Sequence, residues 1–292
     1  MKIIIVLFLF YSNKKLKNKE FIEKISHFFL NMKKLKERIN LVDGGILEIF
    51  TNKDKKKQIE TKSGKIFKSD ILILSIPGGS YRKLVNHEKE PIAKKFFSFG
   101  YSSAILLYSV YPQCYPNSYN QGLQAIKLLS SKFKKIILIG FSAGGHLTGL
   151  LGTTQRNKLF NTIGMILCYP VISFIKKAHK GSRDNFFGDI IKNDIKNQIL
   201  FSIENRVTTK TLPTFIWTVK PDKIVPYENT LYMIEKLKEK KVYHEYKIYE
   251  IGRHGMALAD REINGVKEYK NEEIAKWVGL ACSFIDKIVK ES

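Results

Sequence analysis

With 292 residues, 44% hydrophobic and 12% aromatic, the chain has the length and apolar content of one large globular domain, and only 19 Gly and 8 Pro leave no room for collagen-like or low-complexity material. Its formal charge of +23 is spread along the chain: residues 1–70 hold 17 Lys and Arg against 8 Asp and Glu, and the remaining +14 falls on the other residues. Only 7 of the 50 basic residues are Arg, the type suited to bidentate phosphate and base contacts, so the charge reads as a compositional bias toward Lys and singles out no nucleic-acid partner.

Ile3 to Tyr11 is a nine-residue apolar run, too short for a membrane span of about 20 residues, and Ser12-Asn13-Lys14-Lys15 offers no signal-peptidase site. Residues 13 to 38 suit a Lys-rich amphipathic helix. Residues 1–44 are therefore expected to form an N-terminal extension, and 45–292 the main domain, in a cytoplasmic setting. From Gly45 onward, β-type runs alternate with helical periodicity. Strands are expected at Ile46–Phe50, Ile71–Ile76, Ser103–Tyr108, Ile136–Phe141, Ile163–Cys168, Thr214–Val219 and Tyr243–Tyr249. Helices are expected at Glu88–Phe99, closed by Gly100, at Asn120–Ser130 and at Tyr227–Lys240, with a cap-like polar insertion around 173–210. This alternation predicts an α/β fold with a mostly parallel sheet covered on both faces. Cys114, Cys168 and Cys282 form no C-x-x-C pair and have no His at metal-ligand spacing, so neither a disulfide framework nor a metal site is expected.

The sharpest motif is Gly140-Phe141-Ser142-Ala143-Gly144-Gly145, which follows the run Ile136 to Ile139 and precedes a helix-compatible stretch. G-x-S-x-G in that setting is a nucleophile elbow, with small residues where the tight strand-to-helix turn leaves no room for side chains. A serine hydroxyl needs a general base and a group to orient it, and in this arrangement they follow in the order Ser, acid, His. His254, in the Gly-flanked loop after the last strand, suits the base; His244 lies inside that strand and reads as a sheet residue. Asp222 directly follows the strand Thr214–Val219 through Lys220-Pro221, whereas Asp184, Asp189, Asp194, Glu228 and Glu235 read as solvated charges. The N–H of Ala143 and the loop Pro77-Gly78-Gly79-Ser80-Tyr81 are candidate oxyanion donors. His146, one helical turn past the serine, reads as a packing residue.

These motifs resemble the esterase/lipase branch of the α/β-hydrolase superfamily, specifically acetyl-esterase-like and acetyl-xylan-esterase-like enzymes. The resemblance covers roughly residues 45 to 290 and includes Ile76-Pro77-Gly78-Gly79-Ser80-Tyr81, Glu90-Pro91-Ile92-Ala93, Tyr108-Ser109-Val110, Gly140 to Leu147, Tyr169-Pro170-Val171-Ile172, Asp222 with Val225-Pro226, and His254-Gly255. It implies Ser142 as nucleophile, Asp222 as orienting acid, His254 as base, Gly79, Ser80 and Ala143 as oxyanion donors, a small-molecule ester substrate, and no metal or organic cofactor. Ser80 in place of a third glycine, Thr218 after Trp217 and Pro221 before Asp222 depart from the family pattern and bear on substrate preference. A peptidase or lipase on the same fold, or a non-catalytic binding protein, would share most of these features. The motifs carry no information on oligomeric state.

Overall fold

The computed structural model describes residues 36–154 and 161–292. The chain divides into two compact units, Met1–Glu37 and Arg38–Ser292, and only Lys36 and Glu37 of the first fall among the described residues. The apolar run 3–11 and most of the segment 13–38 lie outside them. Residues 36–38, expected at the end of a helix, instead open a strand.

An eight-stranded sheet has the order β1 (Lys36–Asn40), β2 (Ile46–Phe50), β6 (Ser102–Leu107), β5 (Ile71–Ile76), β7 (Lys135–Phe141), β8 (Thr162–Cys168), β9 (Thr214–Val219) and β10 (His244–Tyr249). β2 pairs antiparallel to β6, and every pairing from β6 through β10 is parallel. The two central strands are apolar on both faces because both faces are covered. In β7, Ile136 and Leu138 enter one core layer, while Ile137, Ile139 and Phe141 enter the other. Leu72, Leu74 and Ile76 of β5 alternate with Ile71 and Ile73 in the same way.

One layer is built with α2 (Asn117–Ser130) and α6 (Glu228–Glu239); the other with α1 (Glu90–Ser98) and the C-terminal α8 (Trp277–Glu291). The helix α3 (Ala143–Gly152), buried along its whole length, follows β7 directly. The region 173–210 contributes α4 (Lys180–Ile191) and α5 (Ile195–Phe201); α7 (Glu272–Ala275) is a single turn before α8. A two-stranded ribbon, β3 (Gln58–Thr61) with β4 (Gly64–Phe67), pairs Ile59 with Ile66 and buries both. The sequence gives that ribbon little signal, since each short strand carries a single fully buried apolar side chain among charges.

The topology decides where a site can form. After β5 the chain adds β6 on one side, then returns to add β7 on the other, so the carboxyl ends of β5 and β7 part at a switch point. Such a crevice is where open α/β sheets bind ligands. Here it opens between the loop after β5 and the turn after β7.

Candidate active site

Ser142 is the residue between β7 and α3, with φ 53° and ψ −117°, a conformation that non-glycine residues adopt only when their surroundings impose it. Its N–H donates to Cys168 O at 3.0 Å, and its carbonyl accepts from Val171 N at 3.0 Å and His146 N at 3.2 Å. The flanking glycines are required sterically. A Cβ on Gly140 would lie 2.0 Å from Thr148 Oγ1, and one on Gly144 would lie 2.2 Å from Ile76 O. The turn aims the Ser142 hydroxyl outward at the N-terminus of α3, where unpaired N–H groups favour negative charge.

Two side chains from other strand ends meet it. His254 Nε2 lies 2.8 Å from Ser142 Oγ, and His254 Nδ1 lies 2.7 Å from Asp222 Oδ2. A carboxylate only accepts, so Nδ1 carries the proton and Nε2 is free to accept from the serine hydroxyl. The other carboxylate oxygen of Asp222 accepts from Ile224 N at 2.8 Å and Val225 N at 3.0 Å. These bonds leave the buried acid side chain no rotational freedom. The Tyr169 and His254 rings meet edge to face, with centroids 5.1 Å apart.

The other candidates separate from this group. His244 sits in β10 with Nδ1 2.8 Å from Val242 O. Asp184 pairs with Arg183, Asp189 with Lys192, and Asp194 caps α5 through Lys196 N. Glu228 lies in the first turn of α6, as Glu235 lies further along it.

The loop after β5 runs through three consecutive residues at positive φ: Gly79 at 126°, Ser80 at 58° and Tyr81 at 55°. Gly79 has no alternative, because a Cβ there would stand 2.1 Å from Lys83 O. Contacts from outside hold the loop: Val85 N donates to Gly78 O, Asn185 Nδ2 to Ser80 O at 2.9 Å, and Tyr111 N to Tyr81 O at 2.7 Å. Among the described residues the N–H groups of Gly79, Ser80 and Ala143 donate to no protein acceptor. Asn185 sits in α4, which carries no one-sided apolar stripe, so the sequence gives no sign of its role.

His146 locks the loop to the body of the fold. Tyr81 Oη lies 2.9 Å from His146 Nδ1, and His146 Nε2 lies 2.8 Å from Phe201 O. Since Phe201 O can only accept, Nε2 is protonated and Nδ1 accepts from the tyrosine. Burial pushes the imidazole down to about 3 from an ordinary 6.5, against the opposing pull of the Phe201 carbonyl. The unfolded chain takes up this proton as pH falls below about 6.5 while the folded chain refuses it, so the associated stability is complete above 6.5 and drains toward 3. Compared with a His146→Gln variant, the wild type is expected to lose about 2 kcal/mol more between pH 6.5 and about 5, read from denaturant midpoints. Equal slopes would show that His146 is not held neutral.

The cleft over Ser142 has a volume of about 1000 Å³, and Lys83, Lys223, Arg253, Tyr269 and Asn271 are among its walls. The Arg253 guanidinium lies 4.7 Å from the Tyr269 ring centroid. Burial lowers the pKa of His87 at the mouth, against the pull of Glu88. Among the described residues, no three His, Cys, Asp or Glu side chains stand together as a metal site, and no helix is long and apolar enough to cross a membrane.

Comparison with known proteins adds three relatives and a family. The sequence model of the BD-FAE family matches residues 60–237. Endo-1,4-beta-xylanase B of Butyrivibrio fibrisolvens is 31% identical over 212 residues, 65% of this chain and 33% of that protein. Acetylxylan esterase of Xylanibacter ruminicola is 29% identical over 164 residues, 53% of this chain and 34% of that protein. The chain thus spans about a third of the length of these curated relatives. Among solved structures, an acetyl ester-xyloside bifunctional hydrolase from Caldicellulosiruptor lactoaceticus superposes with a TM-score of 0.71 at 29% identity, over 86% of this chain and 91% of that one.

Proposed function

The chain belongs to the BD-FAE family and has the α/β-hydrolase fold, and on that premise we propose that it is a serine esterase acting on short-chain carboxylic esters, in particular acetyl esters of carbohydrates. The observation that carries this reading is the continuous hydrogen-bond path from Asp222 Oδ2 through His254 to Ser142 Oγ, with spans of 2.7 and 2.8 Å.

In this mechanism Ser142 Oγ attacks the ester carbonyl carbon as His254 Nε2 takes the hydroxyl proton, and Asp222 stabilises the resulting imidazolium. The carbonyl oxygen gains negative charge against the N–H groups of Gly79, Ser80 and Ala143, at the positive end of α3. As the tetrahedral intermediate collapses, the bond to the leaving alkoxide breaks, and His254 returns the proton to that oxygen. Water, deprotonated by His254, then attacks the acyl-enzyme and releases the acid and Ser142.

The cleft sets polar side chains beside apolar ones, a mixture that suits the leaving group of an acylated sugar. Val85, Pro221, Ile224 and the Tyr269 ring give it an apolar floor on which the face of a sugar ring can pack. Lys83, Lys223, Arg253 and Asn271 supply donors for its hydroxyl groups. The relatives named acetylxylan esterase and acetyl ester-xyloside hydrolase favour the same substrate class.

The test combines labelling with a substrate panel. A fluorophosphonate is expected to modify Ser142 alone, and purified protein to release acetate from acetylated xylo-oligosaccharides. Acetyl nitrophenyl esters are expected to match or exceed octanoyl esters in kcat/KM, whereas a lipase-type site would gain up to roughly 0.8 kcal/mol for each added CH2 it buries. Faster cleavage of long-chain esters or of peptide amides would redirect the reading to a lipase or a peptidase, and absence of labelling to a binding protein.

A further inference from the structure

Glu88 is a carboxylate with 2% of its surface exposed, and no cation pairs with it among the described residues. An isolated carboxylate in such a place costs several kcal/mol unless its oxygens are met by donors. Both are. Oε2 accepts from Gly78 N at 2.7 Å, and Oε1 accepts from Tyr169 Oη at 2.8 Å. The Tyr169 hydroxyl in turn accepts from Ala257 N at 3.0 Å.

These bonds join the loop after β5, the residue after β8 and the segment after β10. Gly78 opens the loop that carries the Gly79 and Ser80 N–H groups, and it is wedged against the elbow. A Cβ on Gly78 would lie 2.6 Å from Phe141 O, 2.9 Å from Ser142 Cβ and 3.0 Å from Glu88 Oε2. Tyr169 follows β8 and packs its ring on that of His254. Ala257 belongs to the segment that carries His254. Burial drives the pKa of the Tyr169 phenol well up, so it remains a donor to Glu88 throughout the working range. Glu88 lies among the residues lining the cleft, yet its carboxylate makes no hydrogen bond to Ser142, His254 or Asp222.

We propose that Glu88 is a positioning residue for ester hydrolysis: it fixes the donor loop through Gly78 and, through Tyr169, the segment carrying His254. The inference rests on the serine-esterase reading. The loop it holds has three residues in a row at positive φ, a conformation that relaxes when its peptide groups are released. Relaxation by a fraction of an ångström would move the donors off the developing oxyanion while leaving room for the substrate. The signature is therefore a loss in kcat at nearly constant KM.

The experiment uses the full chain with two near-isosteric changes, Glu88→Gln and Tyr169→Phe. The glutamine turns one acceptor into a donor facing Gly78 N–H or Tyr169 Oη, and the phenylalanine removes the hydroxyl between Glu88 and Ala257. Rates are expressed per Ser142 labelled by fluorophosphonate, so that misfolded protein does not count. Each variant is expected to lose about 10- to 100-fold in kcat on nitrophenyl acetate with KM within about twofold. Affinity for a trifluoromethyl ketone, which adds to the serine as a tetrahedral analogue, should weaken by the same factor as kcat/KM. The double variant should fall well short of the product of the single losses, because both act through one path. Rates per labelled site within about twofold of wild type in both variants, with only thermal stability or labelled fraction reduced, would overturn the proposal and leave Glu88 a structural residue. Should Glu88→Gln yield no labelled protein, Tyr169→Phe decides by the same criterion. A wild type that neither labels nor hydrolyses esters would instead remove the esterase reading itself.

Discussion

Replacing Ser142 with alanine is expected to lower kcat on nitrophenyl acetate by about 10⁴-fold or more while KM stays within a few-fold. The change removes one oxygen whose side-chain partner is His254 Nε2, so packing in the elbow is preserved. Alanine meets the same strain at φ 53° as serine does, because both carry a Cβ. What disappears is the covalent route. His254 can still draw a proton from water, and the amides of Gly79, Ser80 and Ala143 can still face the carbonyl oxygen, so a residual rate above the uncatalysed reaction is expected. The measurement is steady-state turnover of protein with unchanged circular dichroism. Activity within about tenfold of wild type would exclude Ser142 as the nucleophile.

The second large effect belongs to Asp222→Asn, for which a loss of about 10³- to 10⁴-fold in kcat is expected. The reason is a conflict of donors. One carboxylate oxygen accepts from two backbone N–H groups, of Ile224 and Val225, and the other accepts from His254 Nδ1. An asparagine has a single oxygen. If that oxygen faces the backbone, the amide nitrogen faces His254, Nδ1 must become the acceptor, and Nε2 carries a proton and can no longer accept one from Ser142. If it faces His254, two backbone N–H groups meet an NH2 in a buried site, at a cost of about 1 to 3 kcal/mol for an unsatisfied donor. A loss in rate with unchanged denaturant midpoint would identify the first arrangement, and a fall in stability the second. Because the residues act as a unit, adding Asp222→Asn to Ser142→Ala should lower the rate little further. A full-rate Asp222→Asn enzyme would take the acid out of the mechanism.

Much of the frame is legible in the sequence because the interior strands of a covered sheet are apolar on both faces. Ile46–Phe50, Ile71–Ile76 and Thr214–Val219 are strands with the expected bounds, the first starting after Gly45 and the others lying between Asp70 and Pro77 and between Pro213 and Lys220. The helix expected from Asn120 begins at Asn117, where Ser118 is polar yet buried and so breaks the apolar spacing by which a first turn is recognised. Reading the sequence also leaves α8 unassigned although Trp277, Ala281, Phe284 and Ile288 follow a helical period, as well as α4, which is bent at Gly188 and has no apolar stripe to betray it. At the candidate site, Ser142, Asp222 and His254 stand out because each lies just past a strand end among small or turn-forming residues. Glu88 and Asn185 do not. Glu88 reads as the first residue of a helix, whereas it closes a short turn ahead of Glu90–Ser98. Its partners lie 10 and 81 residues away in the chain, so only the register of separate loops reveals its contacts.

The segment 173–210 and the loop after β5 share two fasteners, Asn185 on Ser80 O and the His146 bridge from Tyr81 to Phe201 O. Residues 173–210 therefore cannot be exchanged without disturbing that loop. A replacement for this segment would also have to supply an amide and a carbonyl at these two points, or the loop after β5 would lose its anchorage.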